Sequence, residues 1–378
     1  MTAAGSRPRV VVCSNTLAEY VVFFRKLLPA DPHRTELLAE LSDAEYRRLS
    51  QGSAGALLWL RFRMLVVYTL RLLWQMRRSS DPAVFVVTTN TFFAPWVAAT
   101  FGRRRGVRVI HLLYDLYPEA LAVATGSDPG TLTARLIAAV TRNTLKRADA
   151  TVFIGRRLRE YAERRYGLAK RACVIEVGSD LALFQPPPAS PLEGPIRMLY
   201  SGHLGRMHDV DTLACLLEAP VTPGLEIVLQ ASGAGYAALL ARSKATAWPV
   251  RWGAPLATAE WAASMRQCHL GLVTVKAGAE NVVFPSKAFS ALLAGQALVA
   301  ICPDGSDLAD LVRRHDCGFV VAPGDAEGLR AVLAQASSDR AGLLEMQHRA
   351  QAAGRKYYSL EALRPAWERI VDEVASAR

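Results

Sequence analysis

At 378 residues, with 51% hydrophobic and 21% charged residues, the chain exceeds one compact core and is too apolar for wholesale disorder. Its formal charge of +11 asks for an acidic partner. Without zinc-finger spacing or an aromatic-rich basic sheet motif, nucleic acid is excluded as that partner, leaving a nucleotide phosphate or an anionic membrane surface.

Met1 to Arg9 carries no charged-then-apolar leader pattern and runs into the first expected strand, Arg9–Cys13. Residues 54–76, AGALLWLRFRMLVVYTLRLLWQM, are long enough to cross a bilayer, but Arg61, Arg63 and Arg71 interrupt them. On a helical wheel Arg63, Arg71, Arg77 and Arg78 share one arc opposite a broad apolar face. Two readings follow, and both can hold along one helix. It is either an amphipathic helix packed on the N-terminal sheet or an interfacial membrane helix with a basic rim.

Val84–Thr88, Val107–His111, Thr151–Ile154 and Cys173–Glu176 read as further strands, rich in Val and Ile and separated by helical segments. That alternation is the signature of parallel α/β layers with both sheet faces covered. Between two of these strands lies Tyr114-Asp-Leu-Tyr-Pro-Glu119, with carboxylates at Asp115 and Glu119. Either acid could serve as general base or hydrogen-bond acceptor for a substrate hydroxyl; the same pattern also suits a helix start.

Phe184 to Pro195 contains five prolines and a glycine in twelve residues, which neither a helix nor a central strand tolerates. After this linker the rhythm restarts with strands Ile196–Tyr200, Leu225–Gln230, His269–Val275, Ala297–Ile301 and Gly318–Val321. We therefore expect domains at 1–190 and 191–356 with a cleft between them, and a helix within 357–378 that packs back on the first domain. The six cysteines are scattered without a CxxC pair, which predicts neither zinc site nor disulfide framework and suits a reducing cytoplasm.

Three segments of the second half carry chemistry. Tyr200-Ser-Gly-His-Leu-Gly-Arg-Met-His208 leaves a strand through Gly202 and Gly205, which let backbone N–H groups approach a phosphate beside the cation of Arg206. Gln230-Ala-Ser-Gly-Ala-Gly235, with Gly233, is placed to line a base or ribose pocket. Phe284-Pro-Ser-Lys287 opens a helix, with Ser286 as expected N-cap and Lys287 beside the positive helix end, a design suited to a diphosphate. Tight turns and capped helices of purely structural use would share most of these features.

These segments, with Asp115-Leu-Tyr-Pro-Glu119, Ile154–Tyr161, Val174–Pro186, Phe284–Gly295, Gly305–Ala309 and Cys317–Asp325, resemble in order and spacing the family-four glycosyltransferases of the GT-B fold. The bacterial surface-polysaccharide branch, with colanic-acid and O-antigen transferases, is the most similar. The resemblance implies two Rossmann-like parallel-sheet domains and a nucleotide-sugar donor, with UDP expected, on the C-terminal domain. Arg206 and Lys287 would face the diphosphate, and Gly202, Gly205, Gly233, Ser286 and Ser290 would add backbone or hydroxyl contacts. Asp115 and Glu119 would meet the acceptor. It further implies transfer with retention, no bound metal and no cofactor besides the donor.

A polyprenyl-diphosphate-linked saccharide is the expected acceptor because it explains residues 54–78 as an anionic-membrane contact, on the inner face of the cell membrane. The sequence departs from the pattern at four places. Val282 and Ser290 stand where the family has two glutamates, with Glu280 nearby; His208 and Asp209 stand for a lysine and a glycine; Asn15 to Glu19 replaces a glycine pair. These leave room for two alternatives, a soluble natural-product transferase and a non-catalytic partner subunit of a polysaccharide assembly.

Overall fold

The computed structural model describes residues 8–17, 19–28, 35–50, 52–79, 82–103, 106–185, 194–243 and 245–377. The centre of the expected proline linker, 186–193, lies outside them. By contacts the chain forms two units. The first comprises Met1–Ala120, Asp128–Glu176 and Leu363–Arg378; the second comprises Leu121–Ser127 and Val177–Ala362. The contact break thus falls at Glu176–Val177, ahead of the 190/191 boundary read from the prolines, because Ser179 already pairs with Ser359 inside the second unit.

The first unit is built on a sheet ordered β2-β1-β3-β4-β5-β6. Its strands are β1 (Arg9–Leu17), β2 (Thr35–Ser42), β3 (Ala83–Thr88), β4 (Val107–Leu113), β5 (Ala150–Phe153) and β6 (Ala172–Val174). Every pairing is parallel. All six residues of β3 are buried, as a Val-rich strand covered on both faces should be. The C-terminal residues pack in this unit, where Trp367 meets Phe24 edge-on at 4.8 Å. Strand β2, TELLAELS, escaped the sequence reading because it lacks β-branched runs and lies at the sheet edge, where only alternate positions need burial.

Residues 54–78 form helix Ala54–Phe62, a π-turn Arg63–Val67 and helix Tyr68–Arg78. Leu60, Tyr68, Leu72 and Met76 are buried and anchor it. The π-turn frees carbonyls from the regular ladder, and the Thr91 hydroxyl donates to Met64 O at 2.9 Å. The arginine arc does not form a uniform outer rim. Arg63 Nε donates to Glu40 Oε1 at 2.9 Å and Arg71 Nη1 to Glu40 Oε2 at 2.7 Å, tying the helix to β2. Much of the apolar face is instead solvent-exposed: Leu58 is 70%, Trp59 53%, Leu70 61% and Trp74 59% accessible. Among the described residues, no helix is long and apolar enough to cross a membrane.

The second unit carries β7 (Ile196–His203), β8 (Leu225–Ser232), β9 (Val250–Gly253), β10 (Leu270–Thr274), β11 (Ala297–Ile301) and β12 (Gly318–Val321). Their order is β12-β11-β10-β7-β8-β9, again all parallel. Strand β9, only VRWG, went unread because so short an edge strand offers no periodicity. The strand order reverses between β7 and β10. In open parallel sheets the crevice beyond the carboxyl ends of the strands at such a switch is where ligands sit.

Candidate active site

At that switch in the second unit, the turn after β7 and the segment before helix Lys287–Leu293 come together. Lys287 Nζ donates to His203 O at 3.0 Å, lies 3.3 Å from His208 Nε2, and sits over the Tyr200 ring, 5.4 Å from its centroid. The Tyr200 hydroxyl donates to the same His203 carbonyl at 2.8 Å, so one oxygen fixes both residues. Loss of solvent holds the Lys287 ammonium down to about 8, and burial followed by the Lys287 charge pushes His208 down to about 3.

The glycines make this approach possible. Gly202 has φ +99°, and a Cβ there would lie 3.1 Å from Lys287 Cε. Gly233 has φ +104°, and its Cβ would lie 2.6 Å from His203 Cε1 and 2.8 Å from Leu204 O. The turn after β8 therefore closes onto the turn after β7: Leu204 N–H donates to Ser232 O at 2.8 Å and Gly235 N–H to Leu204 O at 2.9 Å. Gly205 is buried, and Arg206 is exposed on the same turn.

Two expectations are corrected. Ser286 occupies the N-cap position of its helix, but its backbone is already helical and its side chain makes no cap hydrogen bond. That helix is seven residues long, so little dipole accumulates at its start and the positive charge there is that of Lys287. Ser290 faces Ser179, with hydroxyls 3.0 Å apart. Val282 is buried in the core, and the Glu280 carboxylate accepts from Gly278 N–H at 2.7 Å.

In the first unit, Asp115 follows β4 and its backbone N–H, with that of Tyr114, donates to Thr89 Oγ1 at the end of β3. Burial pushes its carboxyl up to about 6. Glu119 is differently placed. It accepts the Tyr166 hydroxyl and lies 3.8 Å from Arg165 Nε, pinning helix Arg156–Tyr166. Of the two acids, Asp115 suits proton transfer and Glu119 suits architecture.

Asn15 opens the stretch that stands in place of the family's glycine pair. The structure buries it at the end of β1, its Nδ2 donating to Asn90 O and Thr91 Oγ1, both at 3.1 Å, while its Oδ1 is enclosed without a partner. It too lies at a switch of strand order, between β1 and β3, which a sequence cannot show before the topology is known. Among the described residues no cluster of His, Cys, Asp and Glu is arranged to hold a metal ion.

Residues 2–178 match the family model of the glycosyl transferase 4-like domain. No curated protein sequence matches the chain. The sucrose-phosphate synthase of Thermosynechococcus elongatus has a similar structure, with 14% identity, covering 98% of this chain and 100% of that one at a TM-score of 0.72. HepE of Anabaena, in complex with UDP-glucose, is similar with 15% identity, 96% and 99% coverage and a TM-score of 0.69. So is E. coli trehalose-6-phosphate bound with UDP-2-fluoro glucose, with 13% identity, 98% and 99% coverage and a TM-score of 0.64. The chain has the two-domain α/β GT-B fold of these proteins.

Proposed function

We propose that this protein is a glycosyltransferase that moves a sugar from a UDP-sugar to a hydroxyl of a membrane-associated acceptor, with a polyprenyl-diphosphate-linked saccharide as the acceptor class. The observation that carries the donor half is the Lys287 side chain, its Nζ donating to His203 O beside His208 over the glycine turns at the switch point of the second sheet. There it can neutralise the charge that develops on a departing diphosphate. UDP is favoured as nucleotide because similar folds are described with UDP-glucose and UDP-2-fluoro glucose.

The nucleoside end would use the cavity of about 390 Å³ beside β8 and β9, lined by Gln230, Ser264, Trp252 and Pro255 among others. The Gln230 amide oxygen is buried there without a partner and can accept from a base N–H. In the first unit, Asp115 would deprotonate or orient the acceptor hydroxyl. Arg206, exposed on the turn, would add a second cation, and Gly202, Gly205, Gly233 and Ser286 backbone or hydroxyl contacts to the donor; Ser290 would do so with the hydrogen-bonding capacity that its bond to Ser179 leaves. Transfer with retention and without a bound metal completes the reading.

The apolar exposed face of residues 54–78 supports a lipid-borne acceptor, and with it a peripheral location on the inner face of the membrane. The names of similar proteins, sucrose-phosphate synthase and trehalose-6-phosphate, point to soluble acceptors and make a soluble acceptor the second reading.

Calorimetry with UDP, GDP, dTDP and their common sugars tests the donor half. We expect UDP to bind, and Lys287→Ala to weaken it by about ten- to a hundredfold, the worth of a charge-assisted hydrogen bond. Folded protein that binds none of the nucleotides would refute the donor site. Turnover with a polyprenyl-diphosphate saccharide, against free sugars and sugar phosphates, decides between the acceptors.

A further inference from the structure

His208 presents one ring nitrogen to a backbone donor and the other to Lys287. The Gly205 N–H donates to Nδ1 at 3.1 Å, so Nδ1 keeps its lone pair and the neutral ring carries its proton on Nε2. A second proton on the ring would set a donor against the Gly205 N–H, so His208 stays neutral. Nε2–H then points at Lys287 Nζ across 3.3 Å. A lysine ammonium meets it donor to donor, whereas a lysine amine accepts from it.

Among the described residues no carboxylate pairs with the ammonium. The Tyr200 ring face and the His203 carbonyl, which accepts from Nζ, favour the charged form but carry no negative charge to offset its desolvation. The His203 ring, on the turn, is itself held below its ordinary value by desolvation and by Lys287, and an imidazole supplies no negative charge in either state. Asp209, the nearest carboxylate in sequence, accepts from Thr212 N–H at 3.0 Å. Arg206 and Lys276 are exposed and cationic.

We propose that His208 is a positioning residue that holds Lys287 in the cradle and shifts its balance toward the neutral amine, so that in mildly alkaline solution a nucleoside diphosphate binds together with a proton taken up at Nζ. The proton comes from solvent onto the Nζ lone pair, and no other bond is made or broken. A phosphate oxygen can then accept from both Nζ–H and Nε2–H, turning two facing donors into a two-point anion clamp. The inference rests on the donor-site reading for its ligand, but the state of the empty cradle can be read without any nucleotide.

Competitive acylation with acetic anhydride across pH 6 to 11 tests it, on the full chain, with the Lys287 peptide followed by mass spectrometry. In the wild type Lys287 should titrate near pH 8, well below the ordinary lysines at about 10.4. His208→Leu removes the N–H donor and should raise the midpoint by about one unit or more, whereas His208→Gln, which restores an N–H, should recover part of the shift. Saturating UDP should raise the wild-type midpoint. A wild-type Lys287 that titrates with the surface lysines, or a His208→Leu midpoint equal to wild type, would overturn the role of His208. A low midpoint that does not respond to UDP, with UDP binding seen by calorimetry, would overturn proton-coupled binding alone; absence of UDP binding by calorimetry would instead refute the donor-site reading and leave the His208–Lys287 pair in place. Should His208→Leu not fold, nitrogen-15 NMR of the wild-type histidine rings decides the same point: a proton on Nε2 of His208 is expected, and a proton on Nδ1 would overturn its role.

Discussion

The hydroxyls of Ser290 and Ser179 lie 3.0 Å apart, both within the second unit. The resemblance expects an acidic residue at position 290 to take a ribose hydroxyl, and here the side chain is short and already partnered. Ser290→Ala should therefore cost about 1 kcal/mol of stability, the worth of one hydrogen bond. It should weaken UDP far less than Lys287→Ala does. Urea unfolding and calorimetry on the same two variants measure both effects; a loss of UDP affinity equal to that of Lys287→Ala would make Ser290 a donor ligand after all.

Gly233 combines a positive φ with a crowded site, whereas Gly278 has φ +88° and nothing within 4 Å of an added Cβ. Alanine at Gly278 should cost only the backbone strain, about 1 kcal/mol, while alanine at Gly233 must also push His203 and the Leu204 carbonyl aside. Gly233→Ala should accordingly be the more destabilising by about 1–3 kcal/mol in urea unfolding. It should also weaken nucleotide binding, because the displaced turn carries the His203 carbonyl that holds Lys287.

Asp115 has a carboxyl raised to about 6 by burial, against about 3.9 in an unfolded chain. Between those values the folded state binds the extra proton, so stability falls as pH rises, and above pH 6 the whole penalty is in place. Asp115→Asn should raise the melting temperature at pH 7.5 and leave it unchanged at pH 3.5, where both states are protonated. Turnover should drop by about a hundredfold or more, as expected for loss of a general base. In the wild type the acid limb of the rate profile should rise through about pH 6. Glu119→Gln should do the opposite to stability, since it weakens the ties to Tyr166 and Arg165. A melting temperature at pH 7.5 that falls for Asp115→Asn would mean that its carboxylate is stabilised by partners, not penalised.

How much of this was legible in the sequence depended on what kind of signal each feature leaves. The buried strands β3, β10 and β11 are short, nearly continuous apolar runs and β4 is rich in Val, Ile and Leu, and the alternation of such runs with helices marks the α/β class. Strands β2 and β9 sit at sheet edges and leave neither a run nor an alternation. Gly202 and Lys287 were readable because a glycine turn leaving a strand and a basic residue opening a helix are local patterns. The pairing of Ser290 with Ser179, the pinning of Glu119 by Tyr166 and the enclosure of Asn15 depend on residues far apart in the chain, so no spacing announces them. The bonds of Arg63 and Arg71 to Glu40 are illegible for the same reason: a helical wheel shows which residues share a face, not which face meets Glu40.

Glu40 is only 5% exposed at its side chain and accepts from both Arg63 and Arg71. Removing Arg63 leaves the buried carboxylate with the half-exposed Arg71 as its remaining partner here, so its desolvation is less well offset. Arg63→Met should therefore destabilise by roughly 2–4 kcal/mol, and the added Glu40→Gln should return part of that loss. A urea double-mutant cycle reads the coupling; additive losses would show that the two side chains act separately.

The outer face of residues 54–78 exposes Leu58, Trp59, Leu70 and Trp74, with the Arg78 guanidinium 4.5 Å over the Trp74 ring. Water-exposed apolar surface of this kind gains free energy only when something covers it, and indole rings beside arginines suit the headgroup boundary of an anionic bilayer. Each indole moved out of water contributes on the order of 1.5 kcal/mol or more, close to tenfold in binding. Trp59→Ser and Trp74→Ser should each cut flotation with anionic vesicles about tenfold, and the pair by considerably more. Because neither side chain is part of the core, the melting temperature should hardly move. Vesicle binding should also fall with salt, through the arginine share of the attraction, while the tryptophan share persists at high salt. Equal flotation of wild type and the double variant would take the lipid surface away from this helix and leave the soluble-acceptor reading as the better one.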